Sequence, residues 1–166
     1  TWEAVRDAPA RSVVRAIRPA GLANQKGPRI QAALKAITRE RGSLDLEFLR
    51  WMPPEQALTW LMRFKGVGRK TASIVLLFSL GMPAFPVDTH IYRLSGRLGL
   101  RPERSSLEQA HVLLARTFPP ETYYAVHLNL IRHGREVCHA RKPACPACTL
   151  RRMCPYGRRA REATRG

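Results

Sequence analysis

No stretch of this chain is apolar for long enough to cross a bilayer, and its start, Thr1-Trp2-Glu3, has no secretory pattern. That excludes a bilayer-spanning helix and fits a soluble, cytoplasmic protein. Acidic residues are scarce: 12 Asp and Glu stand against 29 Lys and Arg, for a formal charge of +17. A compact chain so unbalanced repels itself unless a polyanion is its usual partner, and nucleic acid is the commonest one. A genome that favours arginine would give the same balance, so charge alone does not settle the partner. Cysteine is scarce too. All 4 cysteines lie between positions 138 and 154, whereas a disulfide framework would spread its bridges through a core or a set of loops. Strict apolar–polar alternation is missing, which argues against β-strands. There is no initiator Met, as expected of a processed or partial chain.

What remains is 166 residues, 45% of them hydrophobic, enough for one domain or two small helical lobes around a shared cleft. Glycine and proline punctuate apolar segments of helical period. A first helix is expected from Trp2 to Ile17, broken by Pro19-Ala20-Gly21. Pro28 opens a second, which ends at Gly42, and Pro54 opens a third. Another runs from Arg69 to Leu80 and stops at Gly81. Asp88 stands where an N-cap belongs, ahead of Ile91, Leu94 and Leu98, with Gly99 as terminator. Ser105-Ser106-Leu107-Glu108 offers a capping box for a helix running to Thr117. A last helix is expected from Glu121 to His133, closed by Gly134.

The stretch Leu61-Met62-Arg63-Phe64-Lys65-Gly66-Val67-Gly68-Arg69-Lys70-Thr71-Ala72 matches a helix-hairpin-helix pattern. Two glycines around one apolar residue let the backbone turn sharply and come close to a ligand. The following helix would begin with N–H groups pointing outward, a seat for one phosphate. Such a contact holds a DNA backbone without reading sequence. Arg63, Lys65 and Arg69 add positive charge around the turn.

Cys138, Cys145, Cys148 and Cys154 have the spacing C-x6-C-x2-C-x5-C. Four thiolates in one short loop suit a [4Fe–4S] cluster or a zinc ion, and zinc ribbons separate their two C-x-x-C knuckles more widely. This spacing resembles the C-terminal cluster loop of the endonuclease III family. The resemblance runs from about Arg15 to Tyr156 and takes in the hairpin, Val87-Asp88-Thr89-His90 and His133-Gly134-Arg135. It implies a structural [4Fe–4S] cluster on the four cysteines, with His139, Arg141 and Lys142 turned toward DNA. As plain residues, those three would simply be solvated.

Breaking a base–sugar bond requires stabilising positive charge at C1′ and supplying a nucleophile. A carboxylate beside C1′ does the first, and a neutral lysine can do the second through an imine that permits β-elimination. Taken alone, Lys70 could be a phosphate-contacting surface lysine and Asp88 only an N-cap. The resemblance implies instead that Lys70 forms the Schiff base and Asp88 is the catalytic carboxylate. It further implies that Leu22 is the apolar wedge that fills the vacated base stack. DNA contacts are implied for Leu22, Lys65, Gly66, Val67, Gly68, Arg69, Thr71, His90, Arg141 and Lys142. Tyr92, Tyr123 and Tyr124 read as core or cap residues. Two departures stand out. Family members carry a helical segment ahead of the position of Trp2, with a Gln-bearing loop that fills the hole left by the flipped base, and Lys65 stands where proline is usual.

The expected fold is all-α, in two helical lobes with an active-site cleft between them. Residues 1–84 would form a helix-hairpin-helix barrel-type lobe and 85–156 a lobe with the catalytic Asp and the iron–sulfur cluster, followed by a basic tail over 157–166. The implied function is a base-excision-repair glycosylase and abasic-site lyase for oxidised pyrimidines. Its partner would be duplex DNA containing a damaged base or abasic site, bound by a monomer associated with the nucleoid. A monofunctional glycosylase for mismatched or alkylated bases, or a non-catalytic DNA-binding fragment, are the alternatives. The cluster reading predicts a coloured protein with iron and acid-labile sulfide in equal amounts. Colourless protein loaded with zinc would contradict it.

Overall fold

The computed structural model describes residues 1–162, with side chains as far as Arg159, and all regular elements among them are helical. The chain forms two compact units, Thr1–Ala72 and a second that begins at Ser73.

In the first unit, α1 (Trp2–Asp7), α2 (Ala10–Ala16), α3 (Ala23–Arg41) and α4 (Pro54–Met62) lead to α5 (Arg69–Ile74). The single helix expected over Trp2–Ile17 is two. Pro9 holds φ −54° and ψ 133°, and Ala8 before it is extended, because the proline ring crowds a helical predecessor. Pro28 shows the reverse: it lies inside α3 rather than opening it. The residue before it is Gly27, which has no Cβ for the ring to meet. A Cβ at Gly27 would also stand 2.8 Å from Val14 Cγ2, so the same glycine lets α2 approach α3 closely.

Gln31 is buried on α3, and its amide donates to the carbonyls of Val5 (3.0 Å) and Ala8 (2.8 Å). These belong to the C-terminal end of α1, where carbonyls have no partner within their own helix. Leu49, Ala57, Leu58 and Leu61 are buried beneath α4. Phe48, Trp60 and Phe64 meet edge to face with ring centres 5.0 Å apart, bracing the end of α4 as it enters the hairpin.

In the second unit the helix begun by α5 widens to a π-helical turn over Val75–Ser79. It is followed by α6 (Thr89–Leu98), α7 (Leu107–Thr117), α8 (Tyr123–Glu136) and α9 (Pro155–Glu162). Leu77, Phe85, Val87, Ile91, Ala110, Leu114 and Tyr123 form its core. The end of the π-helical turn and the proline linker thus pack into this unit, which is why it starts at Ser73 rather than after residue 84. Of the basic tail expected over 157–166, the first part continues α9, and residues 163–166 lie outside the described residues.

The linker Met82–Val87 is largely buried without a neighbouring strand, so its carbonyls need other partners. Nδ1 of His111 lies 3.1 Å from the Phe85 carbonyl, and Nδ1 of His127 lies 3.1 Å from that of Pro86. A carbonyl only accepts, so each of these nitrogens carries a proton. The capping box forms between Ser106 and Gln109, one residue beyond Glu108. Gly134 does not close α8, which continues to Glu136. It is buried within the helix, and a Cβ there would stand 3.0 Å from His90 Cβ.

Replacing Gln31 by Leu keeps the volume and removes the donor, leaving the α1 carbonyls unpaired. The expected loss is about 1–3 kcal/mol in urea unfolding. An unchanged midpoint would show that water already serves those carbonyls.

Candidate nucleic-acid interface and cysteine centre

In the first unit the hairpin forms between α4 and α5. The N–H of Val67 donates to the Phe64 carbonyl at 3.0 Å and that of Ala72 to Gly68 at 3.0 Å. Gly66 takes φ 90°, open to glycine at little cost and strained for other residues. Val67 is half-buried and anchors the turn, while Lys65, Gly66, Gly68 and Thr71 are exposed. Lys70, second residue of α5, is exposed, and among the described residues nothing holds its ammonium group.

The charge around the turn differs from the sequence expectation. Arg63 is held by both oxygens of Glu40 at 2.9 Å, and Arg69 by Glu55 at 2.7 Å. Arg63 holds the Glu40 carboxyl below its usual range, with a further bond from Trp60. Beside Lys65, a further cation over the turn is Arg29, from α3. Its Cδ is 2.8 Å and its Nη1 3.2 Å from where a Cβ on Gly66 would be. The sequence gives no sign of this, since α3 and the hairpin are far apart along the chain.

Leu22 precedes α3 with φ 53° and is 67% exposed. A left-handed backbone costs a non-glycine residue about 1 kcal/mol. The turn is braced by Lys26, whose Nζ donates to the Ala20 carbonyl at 3.0 Å. Among the described residues, Lys142 is the other non-glycine residue with positive φ, at 49°, and it and Arg141 are exposed. Such strain clusters at functional sites more often than elsewhere.

In the second unit Asp88 is half-buried at the start of α6, and its Oδ1 accepts the N–H of Ile91 at 2.8 Å. The N-cap expected from sequence is therefore present. Two residues on, His90 is half-buried, and its Nδ1 lies 3.2 Å from Nη2 of Arg93. Arg93 also donates to the carbonyls of Gly134 and Cys138, each at 2.8 Å, tying α6 to the cysteine loop.

All four cysteines are free and half-buried, and they line one cavity. Burial first, and then the neighbouring sulfurs of Cys138, Cys148 and Cys154, push the Cys145 thiol above its usual range. Among the described residues no three His, Cys, Asp or Glu side chains gather closely enough to hold a single metal ion. Arg97 fastens the loop, donating to Cys138 Sγ at 3.2 Å, to the His139 carbonyl at 2.7 Å and to that of Ala140 at 3.0 Å. Cys154 Sγ bonds the Arg97 carbonyl at 3.2 Å. No helix is long and apolar enough to cross a membrane among the described residues.

Comparison with known proteins places these features in context. A family model described as HhH-GPD superfamily base excision DNA repair protein matches residues 1–120. The chain is 32% identical over 156 residues to endonuclease III of Sulfolobus acidocaldarius, spanning 94% of this chain and 67% of that one. It is 32% identical over 172 residues to DNA glycosylase/AP lyase ROS1 of Arabidopsis thaliana, spanning 93% of this chain but only 12% of that much longer protein. Among solved structures, a non-covalent endonuclease III–DNA complex matches with TM-score 0.81 and 31% identity, over 98% of this chain and 72% of that one.

Asp88→Asn retains an oxygen for the Ile91 N–H and should leave thermal stability nearly unchanged, whereas Asp88→Ala should cost about 1 kcal/mol. Equal stability of the two variants would show that the cap contributes nothing.

Proposed function

Because this chain belongs to the HhH-GPD superfamily of base excision DNA repair proteins, we propose that it is a DNA glycosylase with abasic-site lyase activity, acting through Lys70 and Asp88. The observation that carries this reading is the state of Lys70: an exposed amine just past the Gly66–Gly68 turn, with no partner among the described residues.

In the proposed reaction, the Lys70 Nζ lone pair attacks C1′ as the base departs with the electrons of the glycosidic bond. Asp88 offers its negative charge to the cation developing at C1′. The amine then loses its proton, and the C1′–O4′ bond opens as O4′ takes up a proton, leaving an imine; this acidifies C2′, and loss of that proton expels the 3′ phosphate by β-elimination. Leu22 fills the vacated stack, with its left-handed backbone holding the side chain out into solvent. The hairpin residues Lys65, Gly66, Val67, Gly68, Arg69 and Thr71 seat the DNA backbone, Arg69 through its backbone N–H because its guanidinium is paired with Glu55, and Lys70 follows directly from that anchor. His90, Arg141 and Lys142 contact the same polyanion, for which the formal charge of +17 suits the protein.

The four half-buried cysteines that line one cavity are the proposed ligands of a [4Fe–4S] cluster, by the resemblance to endonuclease III. When bound, such a cluster would pin the loop from Cys138 to Cys154 and so fix Arg141 and Lys142. Oxidised pyrimidines are the proposed lesion class, by the resemblance to endonuclease III. The protein would act as a monomer on chromosomal DNA.

Base release and strand nicking, followed separately on duplexes carrying an oxidised pyrimidine or an abasic site, test this reading. Lys70→Ala should lower nicking on the order of a hundredfold or more, and Asp88→Asn should lower base release on the same order. Base release by wild type without nicking would remove the lyase assignment, and unchanged activity in both variants would remove the enzyme.

A further inference from the structure

We propose that Arg29 is a phosphate ligand of the hairpin, gripping the DNA backbone at the Gly66 turn from outside the helix-hairpin-helix motif. The inference rests on the DNA-binding reading above. With 29 basic and 12 acidic residues, many arginines must lack a carboxylate, so an unpaired arginine alone says little. Position is what distinguishes Arg29. Its Cδ, Nη1 and Nε lie 2.8, 3.2 and 3.5 Å from the place of a Cβ on Gly66, so the side chain occupies the space that the glycine leaves empty. Gly66 thereby serves twice, through its φ of 90° and by making room for this side chain.

The neighbouring arginines are committed elsewhere. Glu40 holds Arg63 and Glu55 holds Arg69, each through hydrogen-bonded ion pairs. Arg29 is exposed, and among the described residues no carboxylate, carbonyl or aromatic ring holds it. Of the arginines around the turn, it is the one whose planar fork is left open to an anion. A guanidinium matches two oxygens of a phosphate at once, which an ammonium such as that of Lys65 does not. The ligand is a backbone phosphate of duplex DNA, because the turn holds no group that would read a base.

The test is the affinity of the full chain for a labelled undamaged duplex, measured across a range of salt concentrations. Arg29→Gln should weaken binding about tenfold near physiological salt. It should also make the plot of log affinity against log salt shallower by about 0.9, the value for one phosphate. Arg39→Gln removes an equal charge from the same helix, about 15 Å along it, and should leave the slope as in wild type. Arg29→Lys should keep the slope and lose part of the affinity. On a Gly66→Ala background, where a methyl group displaces the side chain, Arg29→Gln should cost less than about twofold more.

Equal losses for Arg29→Gln and Arg39→Gln would overturn the proposal, since diffuse charge would then explain both. A wild-type slope for Arg29→Gln would overturn it directly. Tight, salt-sensitive binding by wild type in either case would leave the DNA reading standing, whereas no wild-type binding would remove both.

Discussion

At Gly66 the backbone turns through φ 90°, and the space beside it is filled by a side chain from another helix. No other residue type takes that angle without strain, and none could take it here without displacing Arg29. From this constraint follows the layout of the first unit's functional edge. The reversal ends the run of α4 and starts α5 at Arg69, so that Lys70 falls in the first helical turn and points its amine to solvent. The packing behind it serves the same end. Phe48, Trp60 and Phe64 brace the end of α4, and Glu40 and Glu55 draw off the charge of Arg63 and Arg69.

The second unit presents its carboxylate by different means. A proline linker is extended through the interior, and two buried histidines take up the carbonyls of Phe85 and Pro86. Val87 is buried in the core and Asp88 emerges at the head of α6, where its side chain caps the helix. A capping carboxylate is held in one orientation and keeps a second oxygen for other work. Cap and catalyst are therefore compatible roles for Asp88. The arginines of α6 extend the arrangement: Arg93 and Arg97 reach into the cysteine loop and hold its backbone.

Much of this was legible in the residues. Helix stops at Gly42, Gly81 and Gly99 and the Asp88 cap depend on local chemistry and emerge where the sequence puts them, while the capping box forms one residue on, between Ser106 and Gln109. The hairpin was legible for the same reason. The structure departs from the sequence pattern where the residue before a proline decides the outcome and where a distant contact outweighs a local preference. Pro9 splits the first helix, yet Pro28 is absorbed into α3 because Gly27 makes room for it. Gly134 sits inside α8 because His90 lies against it. Of the three cations beside the turn in sequence, Arg63 and Arg69 are paired with Glu40 and Glu55, and Arg29 arrives from α3. Pairings of that kind leave no trace in a local pattern.

On the proposed mechanism, the amine that becomes joined to the sugar belongs to Lys70. Borohydride reduction of the wild-type protein with an abasic duplex, followed by proteolysis and mass spectrometry of the cross-linked peptide, tests it most directly. The account predicts the sugar remnant on Lys70. A remnant on Lys65, on Lys26 or on the terminal amine would contradict it.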